Sequence, residues 1–181
     1  RIARKAFATD LATGLPNHTQ LLEHMTHLVA LREREPAPMA VIALRVEGLA
    51  AARDTLGLES SNVLRRKVAV RLRASLRASD VVASIGNDSF VVLLAWIDAP
   101  TDGQRVAKKL VDALHQPFSV AGNDLGVKIH AGLALYPEHG KTADALLRRS
   151  VGQAASLASM GGEGIGSVIE RGRDAAANDN A

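Results

Sequence analysis

Arg77 and Asp80 stand at the foot of an apolar run, Val81 to Ile85, and a polar tetrapeptide, Gly86-Asn87-Asp88-Ser89, follows that run. An arginine offers a planar fork that can chelate a phosphate or the O6 and N7 edge of a guanine. An aspartate close by can accept from ring and amino N–H groups. Two sites are therefore conceivable, one at Arg77 and Asp80 and one at the tetrapeptide. The plainer alternative for the first is an ion pair at a helix end, worth little on a surface. Other chemistry is thinly represented. Ser75 and Ser89 have no evident base, so nucleophilic catalysis has no support. Among the six histidines, His24 and His27 are three apart on one helix, and a surface pair accounts for them better than a metal site. Arg65, Arg66, Lys67, Arg71, Arg73 and Arg77 crowd one segment. The expectation is the solvated face of a helix, with a phosphate-binding flank as the alternative.

The elements around these residues follow from periodicity. Two apolar runs, 81–85 and 90–94, flank the tetrapeptide and predict a β-hairpin with a tight turn. Asn17 is a plausible N-cap for a helix reaching to about residue 35, where Pro36 and Pro38 end it. Residues 39–46 form a continuous apolar run, a buried strand. A short helix over 48–56 closes at Gly57, and Ser60 or Ser61 can cap the next, over 62–78. Its stripe is Leu64, Val68, Leu72 and Leu76. Asp98, Asp102 and Asp124 read as caps and turn residues, with a helix over 103–115. Strands are expected over 117–120, 125–136 and 165–169, and a helix over 142–160. The glycines at 161, 162, 164 and 166 follow that helix rather than open one, so they read as a loop.

Composition fits one soluble α/β domain. The chain has 181 residues, 47% apolar and 23% charged, with a net charge of +3. That excess does not argue for nucleic acid, and no run approaches a membrane span. Cysteine is absent, which excludes thiolate metal sites and disulfides. Residues 1–9 read as an incoming linker or helix and 171–181 as a disordered tail. With Arg1 rather than Met at the start, the expectation is a module of a longer protein.

Three motifs carry a family resemblance. Asp10-Leu-Ala-Thr-Gly-Leu-Pro-Asn17, Gly86-Asn-Asp-Ser-Phe90 and Gly132-Leu-Ala-Leu-Tyr-Pro-Glu-His-Gly140 occur in order. They resemble the opening D-x-L-T-G-L-P-N, the signature turn and the G-I-A-x-Y-P-x-D-G of GGDEF domains, the diguanylate cyclases. The resemblance implies a nucleotidyl-cyclase-like α/β fold over residues 10–170, with a central mixed, mostly antiparallel sheet surrounded by helices. The family joins two GTP molecules into cyclic di-GMP across a head-to-head dimer and needs divalent metal on the phosphates. By the same resemblance, Arg45 falls where the first metal carboxylate belongs, and Glu47 is the second acidic position of that strand. Ala50 replaces a lysine, Arg53 the asparagine that reads guanine, and Asn62 an acidic residue. In the turn, Asn87 replaces the second glycine and Ser89 a carboxylate, leaving Gly86 and Asp88. Ala158 and Gly162 stand where phosphate-binding lysine and arginine are usual. The expectation is no catalytic residue, no magnesium and no cyclase activity.

What survives, by the resemblance, is the family's R-x-x-D site five residues before the signature turn, which binds cyclic di-GMP. Arg77 and Asp80 match it. Lys109 is the nearest match to a second family arginine, with Arg105 and Lys108 beside it, and Arg32 or Arg34 could reach in from a partner subunit. The chain resembles degenerate GGDEF effectors of the PopA type, in which receiver domains precede the GGDEF domain. The expected function is a non-catalytic, cytoplasmic cyclic di-GMP receptor, dimeric, signalling to an unidentified protein partner. The alternatives are a ligand-free dimerisation or regulatory domain and, remotely, an active cyclase.

Overall fold

The computed structural model describes residues 9–166. The expected tail at 171–181, all but Thr9 of the incoming segment, and the end of the strand expected over 165–169 lie outside the described residues. Asn17 caps helix α1, His18–Arg34, by accepting from the Gln20 amide. Leu21, Met25 and Val29 recur every four residues and are buried, which makes α1 a one-sided helix. Strand β1, Met39–Glu47, is apolar from Met39 to Leu44 and ends in the alternation Arg45, Val46, Glu47. Its neighbours are β2 (Val81–Ile85), β3 (Ser89–Leu94), β6 (Lys128–Tyr136) and β7 (Gly164–Ile165), in the order β2-β3-β1-β6-β7. β6 and β7 run parallel, and the other pairs are antiparallel.

The unbroken apolar run of β1 reflects burial on both faces. Ile42, Leu44 and Val46 pack towards helices α2 (Leu49–Leu56), α3 (Leu58–Ala74) and α4 (Pro100–Leu114). Val41 and Ala43 pack towards α1 and α5 (Ala143–Ser159). A separate two-stranded hairpin, β4 (Phe118–Val120) with β5 (Asn123–Leu125), lies beside α3.

Several expectations need correction: the helix expected over 103–115 begins at Pro100, and Asp124, expected as a cap or turn residue, lies in β5 opposite Ser119. Helix α3 is not capped by Ser60 or Ser61 and does not span 62–78. It begins at Leu58, because Gly57 at φ 94° both ends α2 and opens α3, a conformation that L side chains avoid. Ser61 lies inside the helix and donates to the Leu49 carbonyl. The helix stops at Ala74 because the residues beyond Ser75 close a turn of their own. The single strand expected over 125–136 is two, since Gly126 separates β5, paired with β4, from β6, paired with β1.

Asp102 acts as expected of a cap, from inside the first turn of α4. Its Oδ2 accepts from the amides of Asp98 and Ala99, and its Oδ1 accepts from Arg105. The Arg105 guanidinium first, then the Ala99 amide, holds the Asp102 carboxyl below its ordinary value. A depressed carboxyl stabilises the fold above the unfolded value of 3.8, and that contribution disappears as pH falls through the folded value. Thermal melts of wild type and Asp102→Asn across the acid range should converge as pH drops. A constant gap between the two would show that the charge is irrelevant.

Candidate functional site

The tip of the β2–β3 hairpin is a closed electrostatic unit. Gly86 opens the turn at φ 65°. The Asp88 carbonyl accepts from the Val46 amide at 2.7 Å, which fixes the tip against β1. Arg45 lies opposite Ser89 in register, and this brings its Nε to 3.5 Å from Asp88 Oδ2, each side chain 45% exposed. Asp88 Oδ1 accepts from the Ser89 hydroxyl at 3.0 Å. Glu47 is directed elsewhere, with Oε2 3.8 Å from Nε2 of His130 on β6. Beside the tip is a cavity of about 390 Å³, whose lining includes Ala50, Arg53, Asn62, Asn87 and Asp88. The fold thus gathers the positions singled out in α2, α3 and the turn, while at the end of the central strand Arg45 faces Asp88 and Glu47 points towards His130.

A divalent cation requires several converging oxygen donors. Among the described residues no group of three or more His, Asp or Glu could hold a metal. The carboxylate at the tip, Asp88, already faces a guanidinium. A cation brought to the tip would meet the Arg45 guanidinium beside that carboxylate.

At the foot of the hairpin, residues 77–80 form a reciprocally bonded turn. The Asp80 amide donates to the Arg77 carbonyl at 3.0 Å. The Arg77 amide donates to Asp80 Oδ2 at 2.9 Å. Asp80 is 7% exposed, so its carboxylate shapes the turn, while Oδ1 takes no part in that bond. The side-chain ion pair offered as the plain alternative does not form. The Arg77 guanidinium is exposed and makes no hydrogen bond or ion pair among the described residues. Lys109 reaches the same corner from α4, its Nζ 3.1 Å from the Ser75 carbonyl.

The family description Diguanylate cyclase, GGDEF domain, matches residues 7–162. The chain belongs to the GGDEF family. The domain is 32% identical over 138 residues to the bifunctional diguanylate cyclase/cyclic di-GMP phosphodiesterase MucR of Pseudomonas aeruginosa, covering 76% of this chain and 20% of that protein. It is 30% identical over 139 residues to the diguanylate cyclase TpbB of the same species, covering 76% and 32%. This chain therefore spans a third or less of the length of these relatives. Among solved structures, the GGDEF domain of TpbB (YfiN) superposes with a TM-score of 0.80 at 28% identity, covering 87% of this chain and 91% of that one. A sensory box/GGDEF family protein from Caulobacter crescentus gives 0.78 at 27%, covering 84% and 99%.

Within this GGDEF domain the crowded cations of α3 are a solvated face only in part: Arg66 and Lys67 are exposed, while Arg65, Arg71 and Arg73 are half-buried against other segments. Arg65 Nη2 binds Asp10 Oδ2 at 3.2 Å and Ser84 Oγ at 2.8 Å, tying the opening motif to β2. Lys67 donates to the Ser119 carbonyl. Arg71 donates to the carbonyls of Ala113, Gln116 and Pro117, and stacks 3.6 Å from the Phe118 ring centroid. Arg73 donates to the carbonyls of Arg77 and Asp80. Sequence reasoning missed all of these roles. Carbonyls that await a cation have no residue signature, and placing the helix end at 78 hid the turn that Arg73 braces.

Three of the remaining candidates are otherwise engaged, Lys108 with Asp112 at 3.1 Å. Arg105 pairs with Asp102 at 3.0 Å. Arg32 is not available to a partner subunit, because it is 1% exposed, donates to the Ala95 carbonyl and lies 3.5 Å from the Trp96 ring centroid. Arg34 is exposed at the end of α1. His24 and His27 are exposed on α1, as a surface pair should be. Burial pushes the Arg32 guanidinium below its ordinary value, and its Nε and Nη1 are sealed without a hydrogen-bond partner. Arg32→Ala should therefore cost about 2 to 4 kcal/mol through lost packing and ring contact. Arg32→Met should stay within about 1 kcal/mol of wild type, since it fills the volume without a buried charge. Urea denaturation reads both. Equal damage by Met and Ala would show that the polar contacts dominate.

Proposed function

We propose that this GGDEF domain is a non-catalytic cyclic di-GMP receptor that binds the dinucleotide at Arg77 and Asp80. The observation that carries the reading is selective: Arg65, Lys67, Arg71 and Arg73 are all spent on internal partners, while the Arg77 guanidinium is exposed and uncommitted. An uncommitted planar fork keeps its full capacity for a phosphate or a guanine edge. Lys109, bonded to the Ser75 carbonyl at the same corner, adds positive charge nearby but is itself committed and has no fork. The other half of the reading rests on the hairpin tip. Arg45 occupies the place of a metal-binding carboxylate and neutralises Asp88 from within the chain. With Asp88 facing Arg45, phosphates at the tip would lack the metal charge compensation that cyclisation needs. No cofactor is required for binding at the turn.

In this reading ligand binding changes how copies of the domain associate, and the signal passes to a protein partner. Receiver domains ahead of this module would resemble the PopA type. No helix among the described residues is long and apolar enough to cross a membrane. A second reading, a ligand-free regulatory domain, draws on the Asp80 carboxylate being used by its own turn. Calorimetric titration with cyclic di-GMP and with GTP plus magnesium separates the readings. The receptor reading expects heat with the first ligand and no cyclic di-GMP synthesis from the second. Measured synthesis would overturn the non-catalytic half. Absence of binding would leave the regulatory reading.

A further inference from the structure

We infer that Arg73 is the positioning residue of the Arg77–Asp80 turn, a role that deepens the receptor reading and rests on it for its ligand-binding consequence. The turn carries two bonds of its own, Asp80 amide to Arg77 carbonyl and Arg77 amide to Asp80 Oδ2. These bonds close the loop but do not fix it against the rest of the domain. Arg73 does so from the last turn of α3. Its Nη1 donates to the Asp80 carbonyl at 2.7 Å, and its Nη2 donates to the Arg77 carbonyl. One rigid guanidinium therefore holds the first and last carbonyls of the turn at a set separation. The Arg77 carbonyl accepts twice, from the Asp80 amide and from Arg73.

The consequence concerns where the Arg77 side chain begins. Arg77 is exposed and nothing among the described residues anchors its guanidinium. Its direction of approach to a ligand is set by its backbone alone, and that backbone is held by Asp80 on one side and Arg73 on the other. A flexible side chain on a fixed stem loses less freedom on binding than one on a mobile stem. Lysine at 73 keeps the charge but replaces the fork by a point donor, which cannot span two carbonyls in the same fixed geometry. Arg73 touches no ligand atom in this scheme. It acts through the turn.

The test uses wild type, Arg73→Lys and Arg73→Ala. Amide hydrogen exchange of ligand-free protein comes first. Exchange at Asp80 should speed up at least about tenfold in Arg73→Lys, with amides of β1 and β6 unchanged. Cyclic di-GMP titration at a temperature well below the melting point comes second. The dissociation constant should rise about tenfold or more in Arg73→Lys, with Arg73→Ala at least as weak. A purely structural Arg73 would lower the melting temperature of every variant and leave the dissociation constant of the folded protein unchanged, which overturns the inference. So does unaltered exchange at Asp80. If wild type itself binds no cyclic di-GMP, the receptor reading falls, and the exchange measurement alone decides whether Arg73 positions the turn.

Discussion

Arg77→Ala should abolish cyclic di-GMP binding at concentrations where wild type saturates. Micromolar or tighter binding corresponds to on the order of 8 kcal/mol. A guanidinium making two charge-assisted bonds accounts for about 3 kcal/mol or more of that, a loss of over a hundredfold. Arg77→Lys should fall between, keeping attraction to phosphate but losing the fork. Stability should hardly move, because the Arg77 side chain is exposed and touches nothing that its removal would leave unpaired. An exposed change of this kind lies within about 0.5 kcal/mol. Calorimetry and a thermal melt on the same preparations therefore separate binding from folding. Equal absence of heat in wild type and Arg77→Ala would overturn the receptor reading.

Gly132→Ala should have the largest effect on the fold. Gly132 lies in β6, paired with Ala43 of β1 at the centre of the sheet. A Cβ there would stand 2.0 Å from the Ser150 carbonyl oxygen and 2.9 Å from the Ala154 amide nitrogen, both backbone atoms of α5. No rotamer change relieves a clash with helix backbone, so α5 would have to lift from the sheet. The expected cost is at least about 3 kcal/mol, a large share of the roughly 5 to 15 kcal/mol of ordinary domain stability. Gly152 on α5 is the matched contrast. Nothing lies within 4 Å of a Cβ added there, and alanine should gain about 1 kcal/mol from helix propensity. Urea denaturation of the two variants should shift the midpoint in opposite directions. Similar midpoints would show that α5 accommodates the methyl group.

The same glycine explains why the motif Gly132–Gly140 can be read in one dimension. A position where helix backbone touches strand backbone admits one residue type, so it leaves a mark in the sequence. The alternation of Val81–Ile85, the turn and Phe90–Leu94 likewise could be read, since a hairpin is local and its register follows from its own loop. The helix ends could not be placed as well. Gly57 serves two helices, and no residue type distinguishes shared from single use. Arg32 was the most misleading residue. An arginine in the last turn of a helix reads as exposed, and its burial depends on the Ala95 carbonyl it donates to and the Trp96 ring against it.

For the site, the sequence by itself determined the inventory. It placed Arg77 and Asp80 at the foot of a hairpin and ordered the motifs of a GGDEF domain. Tertiary structure alone decided which charges are committed. Arg45 meets Asp88 because β1 and β3 are antiparallel neighbours, although the two residues are far apart in the chain. Arg65, Arg71 and Arg73 meet carbonyls and side chains supplied by other segments of the fold. A cation's availability is the difference between its charge and its partners. The sequence carries the charge, but the partners exist only once the chain has folded.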